Sequence, residues 1–310
     1  HPCFVFRSFG MNLYEYLKAS QFQGLGLGQV RKVALQLLKA LRHLKSLGIV
    51  HCDIKPENVL LKSGPRDGGA AQDEGGMEVV LCDFGSSCCV GATFPSYMQS
   101  RFYRAPEVVL RLRQEIENEE KQDEEKAVGL TEVFDVYATP AATTVTAAIA
   151  DDLKSSFAYG HELDMWSLSA MLPELRTGNP CFPAESEPDL FACQCEVLGM
   201  PPKSLLERVN PEVLRGLVET ADDGQACLLE SLLVTPQGTS RKVGSRSIGS
   251  VARARKNDAS FVDFLQSGLA WDPLERLDVE MALSHVWVQA TAHHTHRRDN
   301  RKSPGNVEEG

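Results

Sequence analysis

Two carboxylates, a lysine and an asparagine stand in this 310-residue chain in an order that suits moving a phosphoryl group to a hydroxyl. The stretch His51-Cys52-Asp53-Ile54-Lys55-Pro56-Glu57-Asn58 offers a carboxylate, a cation two residues on and an amide three beyond that. Asp83-Phe84-Gly85 follows 30 residues after Asp53, and Ala105-Pro106-Glu107 begins 20 residues beyond Gly85. In such chemistry Asp53 orients the nucleophile and accepts its proton, and Lys55 neutralises charge on the moving group. Asn58 and Asp83 supply oxygens for Mg²⁺ on the phosphates, hard donors for a hard cation. Each residue alone reads as an ordinary surface polar group. Their order and spacing together point to that chemistry.

These residues need elements to hold them. Residues 3–6 form an apolar run that suits a buried strand, and Gly10-Met11-Asn12 breaks it before a short helix at Leu13–Leu17. Val30, Val33, Leu37, Leu38, Leu41 and Leu44 fall at helical spacing, so a helix is expected over Gln29–Leu47, with Gly48 as its stop. Short strands are expected on either side of a mobile Gly-rich loop at 63–76, the second at Glu78–Cys82. Later helices are expected around Asp164, around Phe261–Leu269 and over Val279–Trp287; Pro173 should kink the first of these.

Composition excludes several classes. The net charge of −10 argues against a general polyanion binder. No apolar run reaches membrane-spanning length. No signal peptide is visible, and the chain opens on His1 in what reads as the middle of a domain. The nine cysteines read as free thiols, since four ligands at zinc spacing are absent. Arg111–Lys126 holds seven acidic and four basic residues and reads as a solvated insert. Thr235–Lys256 is rich in Gly, Ser and cations and contains no acid. Its Arg241, Lys242, Arg246, Arg253, Arg255 and Lys256 raise nucleic-acid binding as an idea, but a solvated loop is the expectation.

The motif set resembles the protein kinases. Met11-Asn12-Leu13-Tyr14-Glu15, His51-Cys52-Asp53, Asp83-Phe84-Gly85-Ser86-Ser87-Cys88, Tyr97 to Glu107 and Leu163-Asp164-Met165-Trp166-Ser167-Leu168 resemble the dual-specificity tyrosine-regulated kinases in particular. Cys52 carries much of this, because most kinases have Arg there. The resemblance implies a mainly α C-terminal lobe with short β-hairpins and a serine/threonine kinase activity with tyrosine autophosphorylation. ATP and Mg²⁺ are the implied cofactors and proteins the implied substrates, with no membrane partner, in cytoplasm or nucleus. Residues 1–10 would be the end of an N-lobe strand and the hinge, 11–290 the C-terminal lobe with inserts at about 63–76, 111–156 and 216–256, and 291–310 a disordered tail.

Site residues follow from the same resemblance. Phe6 matches the position behind adenine, Arg7 to Phe9 (with Ser8) the hinge, Asn12 the ribose side and Leu60 the floor under the base. Tyr97 matches the second tyrosine of the activation loop, and Arg101 and Arg104 the arginines expected near its phosphate and the substrate pocket. Asp164 matches the residue that holds the catalytic-loop backbone, and Glu107 with Arg276 a buried ion pair.

Departures from the family pattern set further expectations. No Gly-x-Gly-x-x-Gly loop and no Val-Ala-x-Lys strand precede His51, so the ATP-covering β lobe is expected to be missing and the chain alone inactive. Pro95 stands where the first activation-loop tyrosine would be. The competing reading is a non-catalytic kinase-like scaffold. Asp53, Lys55, Asn58 and Asp83 all standing argues against it.

Overall fold

The computed structural model describes residues 3, 5, 7–62, 77–90, 98–112, 159–221 and 224–290. Phe6, Tyr97, Pro95, the 63–76 loop, nearly all of the 111–156 segment and the 291–310 tail therefore lie outside the described residues.

Helix α1 (Leu13–Ala19) starts where Asn12 and Glu15 cap each other: Asn12 Oδ1 accepts from the Glu15 N–H and Glu15 Oε2 from the Asn12 N–H. Helix α2 (Leu27–Ser46) buries the expected Val30, Val33, Leu37, Leu38, Leu41 and Leu44 on one face. It begins two residues before Gln29, because the Gln29 side chain reaches back to the Gly26 amide and draws Leu27 and Gly28 into the first turn. Strands β1 (Ile49–Val50), β2 (Val59–Leu61), β3 (Val79–Leu81) and β4 (Cys88–Cys89) make two antiparallel pairs, β1 with β4 and β2 with β3. Leu60 lies opposite Val80, and Val50 opposite Cys88.

Helix α3 (Glu162–Thr177) is buried on nearly all sides and packs against α2 and α5 (Ala259–Gly268), with α4 (Glu187–Leu198) beyond the activation segment. It runs on through Pro173, which can make no amide bond to the preceding turn. Its end is tightly specified. Gly178 has φ 78, and a Cβ there would stand 1.8 Å from the Phe22 carbonyl oxygen. Gly178→Ala is therefore expected to cost about 2–4 kcal/mol, combining left-handed backbone strain with overpacking. A denaturant midpoint equal to wild type would contradict that.

Three expectations need correction. The run at 3–6 is not a buried strand where it is described: Cys3 is exposed, Val5 is 96% exposed, and neither belongs to a strand. The final helix is two, α6 (Val279–Ser284) and α7 (Val286–Gln289), because His285 is extended and its Nδ1 caps the Trp287 amide. The third concerns Thr235–Lys256, which is not a solvated loop throughout: Ile248 and Ala252 enter the core. Ahead of it, Val218–Thr220 pairs with Ala226–Leu228 as a hairpin and buries Leu228. Arg241 is buried against Asp189 (2.8 Å), and Arg246 lies 3.6 Å from Glu196; only Lys242, Arg253, Arg255 and Lys256 are exposed. Among the described residues no helix is long and apolar enough to cross a membrane.

Candidate active site

The loop after β1 is hung from α3 by one carboxylate. Asp164, 2% exposed, accepts the His51 N–H at Oδ2 (2.7 Å) and the Cys52 N–H at Oδ1 (2.9 Å). Burial pushes its carboxyl up to about 7, against the pull of the two amides. Asp164→Asn replaces one acceptor by an N–H facing a buried N–H. A loss of about 1–3 kcal/mol is expected, and an unchanged thermal midpoint would contradict it. The His51 ring is fixed at both ends. Nε2 lies 3.1 Å from the Cys82 carbonyl, which can only accept, so the proton sits on Nε2 and Nδ1 accepts from the Asp53 N–H at 3.3 Å. Burial lowers the pKa of His51, consistent with this neutral tautomer. Phe84 packs edge-on against the ring at 4.9 Å.

Asp53 is the centre of the site. Its Oδ1 accepts from Ser100 Oγ (2.7 Å), and its Oδ2 from Lys55 Nζ (2.7 Å) and Asn58 Nδ2 (3.0 Å). Lys55 Nζ also donates to Ser100 Oγ at 3.0 Å. Burial pushes the carboxyl up, but the bonds from Lys55 and Ser100 outweigh it and leave it below the ordinary aspartate value. The group thus remains ionised through neutral pH. This ionisation favours the folded state above the unfolded pKa, and the contribution is lost as pH falls through the folded value.

Asn58 reaches the site on a 3-10 turn, Pro56–Asn58. Its amide nitrogen is taken by the Asp53 carbonyl (2.8 Å) and carboxylate, and its main-chain carbonyl holds the Cys82 N–H (2.9 Å). Asp83, exposed and at φ 65, accepts the Gly85 N–H at Oδ1 (3.2 Å). Asn58 Oδ1 and Asp83 Oδ2 accept no hydrogen bond from the described residues, and such oxygens fit a hard divalent cation.

The remaining site residues fall into three places. Ser8 is exposed, Phe9 lies 6.0 Å under the Arg7 guanidinium, and the segment that follows is tied to β2 through Gly10 N–H to the Leu61 carbonyl (2.8 Å). That pairing sets Asn12 opposite the half-buried Leu60. In the activation segment, Arg101 donates to the Glu185 carbonyl (2.6 Å). Arg104, wholly buried, donates to the Met98 and Gln99 carbonyls (both 2.8 Å) and to Glu187 (2.7 Å). Glu107 and Arg276 form a bidentate buried pair at 2.6 and 2.8 Å, with the guanidinium 5.1 Å above Trp166.

Sequence reasoning missed Ser100, Gln99 and Glu187. Ser100 stands 47 residues from Asp53 and no spacing rule connects them; only the closed fold does. Gln99, at φ 61, ties the nearby Ala105 to Leu163 and Ser167, 64 and 68 positions away.

The protein kinase domain family matches residues 5–127. A Drosophila melanogaster protein named dual specificity tyrosine-phosphorylation-regulated kinase 2 is 33% identical over 96% of this chain, covering 32% of its own length. The Rattus norvegicus protein named kinase 3 of that series is 34% identical over 94% of this chain and 42% of its own. A probable serine/threonine-protein kinase of Dictyostelium discoideum is 32% identical over 93% of this chain and 24% of its own. The chain thus spans about a quarter to two-fifths of the length of these relatives.

Proposed function

The chain belongs to the protein kinases, with the dual-specificity tyrosine-phosphorylation-regulated group, and we propose that its Asp53 site moves the γ-phosphoryl group of ATP to protein serine and threonine hydroxyls. The observation that carries this is the bonding of Asp53. Ser100 fixes one carboxylate oxygen while Lys55 and Asn58 fix the other, so an ionised carboxylate is held in one orientation. Asp53 takes the hydroxyl proton as the bond to phosphorus forms, and Lys55 supplies positive charge beside it.

Mg²⁺, when bound, neutralises charge on the nucleotide phosphates, and Asn58 Oδ1 and Asp83 Oδ2 are the oxygens that would hold it. Phe6, Ser8, Phe9, Asn12 and Leu60 are the adenosine side of the reading. The Asn12–Leu60 pairing supports it by setting an amide nitrogen that bonds to none of the described residues next to an apolar floor. Tyr97 is the proposed self-phosphorylation site. Arg101 suits its phosphate, because its Nε is buried without a hydrogen-bond partner; Arg104 would have to share its Glu187-bound guanidinium. Asp164 holds the loop, and Glu107–Arg276 ties the activation segment to the helical core.

The 310 residues contain neither a Gly-x-Gly-x-x-Gly stretch nor a Val-Ala-x-Lys strand ahead of His51. Transfer depends on positioning and charge stabilisation over the phosphates. The chain alone is therefore expected to show no measurable turnover. A chimaera carrying a relative's Gly-rich lobe ahead of it should phosphorylate a serine peptide. Equal turnover from the two would overturn the view that these residues need a covering lobe.

A further inference from the structure

Beside the activation segment, α4 and the chain beyond the second hairpin enclose a cavity of about 340 Å³. Phe102, Pro183, Ala184 and Pro236 give it apolar walls, and Glu185 and Gln237 line it from exposed positions. Its buried side is charged. Arg241, 5% exposed, donates to the Leu232 carbonyl (3.1 Å) and to Asp189 (2.8 Å) through its two terminal nitrogens. Its Nε is buried and bonds to none of the described residues. Glu196 Oε2 lies 3.7 Å from that Nε and 3.6 Å from Arg246, beyond hydrogen-bond distance of both. The Glu196 carboxylate, 17% exposed, accepts no hydrogen bond from the described residues. A buried donor therefore faces a carboxylate that no donor reaches, an arrangement that favours a ligand able to bond both.

Charge narrows the ligand. Glu185, Asp189 and Glu196 bring three negative charges to the lining, and Arg241 with Arg246 two positive ones. A phosphate or carboxylate entering the cavity would meet the acids, and a lysine would meet the guanidinium groups. A carboxamide avoids both penalties: its oxygen accepts from Arg241 Nε and its nitrogen donates to Glu196. Glutamine carries that head on two methylene groups, which suit the walls made by Phe102 and Pro183.

The cavity is also close to the acceptor site. Phe102 stands two residues beyond Ser100, whose hydroxyl is on Asp53, in a 3-10 turn that rises about 2 Å per residue. Arg101, on the same turn, donates to the Glu185 carbonyl at 2.6 Å. An extended peptide with its serine at Asp53 reaches the cavity within about four residues, at about 3.3 Å each. We propose, resting on the phosphoryl-transfer reading of Asp53, that this cavity is a substrate subsite selecting a glutamine side chain near the phosphorylated serine.

The readout is peptide binding, so it does not depend on turnover. Fluorescent serine peptides with one glutamine, placed in turn at each of about four positions on either side of the serine, are titrated into the folded 310-residue chain. Matched peptides carry leucine, glutamate or lysine instead. At one position glutamine is expected to bind about 10-fold tighter than leucine, the worth of hydrogen bonds to charged groups, with glutamate and lysine no better than leucine. Glu196→Gln offers Arg241 Nε a carboxamide of its own and should erase the preference while leaving the leucine peptide's affinity unchanged. The peptide exchanges need no variant, so they decide the matter even where Glu196→Gln does not fold. Equal affinity for glutamine and leucine at every position, a preference for glutamate or lysine, or a glutamine preference that survives in folded Glu196→Gln would each overturn the subsite. Transfer by the lobe-carrying chimaera reports on Asp53 separately: a chimaera that phosphorylates none of these peptides removes that reading, whatever the binding series shows.

Discussion

Asp53→Asn in the lobe-carrying chimaera is expected to lower phosphate transfer by about 10³-fold, within the range that general bases contribute. The asparagine keeps the size of the side chain and one acceptor, so Ser100 Oγ can still be held. It removes the negative charge that Lys55 bridges and the site for the hydroxyl proton. Binding of the nucleotide should change little, because the proposed role of Asp53 is on the acceptor hydroxyl, whereas Asp83→Asn should raise the Mg²⁺ concentration needed for activity. Turnover within a few-fold of wild type for Asp53→Asn would remove the carboxylate from its assigned role.

The second large effect is on stability. Arg276→Ala and Glu107→Ala are each expected to cost about 3–5 kcal/mol, because either leaves its partner's charge buried and alone. The pair is 0% and 5% exposed at its side chains, so solvent cannot compensate the survivor. Arg276 also holds the Glu162 carbonyl (2.8 Å) and the Ala270 carbonyl, and truncating it orphans both. Glu107→Ala leaves those two bonds in place and should be the milder of the two. The double variant should cost clearly less than the sum, which chemical denaturation of the four proteins measures directly. Additive losses would mean that the two side chains do not act as a pair.

The site was legible in sequence where its parts are local. Asp53, Lys55 and Asn58 share one loop, and short spacing alone brings their side chains together. Helix α2 was equally readable, because seven buried residues on one face impose a helical period over 20 residues. What escaped depends on distant segments meeting. Ser100 on Asp53, Gln99 across the start of α3, and Asp189 against Arg241 join residues 47 to 68 positions apart. Arg241 reads as one cation in a soluble basic run until Asp189 on α4 is known to face it. Val5 misled in the opposite sense. An apolar run favours a strand only if another strand or layer covers it, and none among the described residues does. The break at His285 was hidden because the apolar spacing carries on through it while the side chain caps the next helix.

The most direct measurement is phosphate transfer itself. The chimaera is incubated with ATP, Mg²⁺ and a serine peptide, and the peptide is followed by mass spectrometry, with EDTA and Asp53→Asn as the paired controls. Phosphoserine should appear with the unaltered Asp53 and Mg²⁺ together and be reduced to background when either is removed. A folded chimaera that makes no phosphopeptide, or makes as much with asparagine at position 53, would contradict the assignment of this loop to phosphoryl transfer.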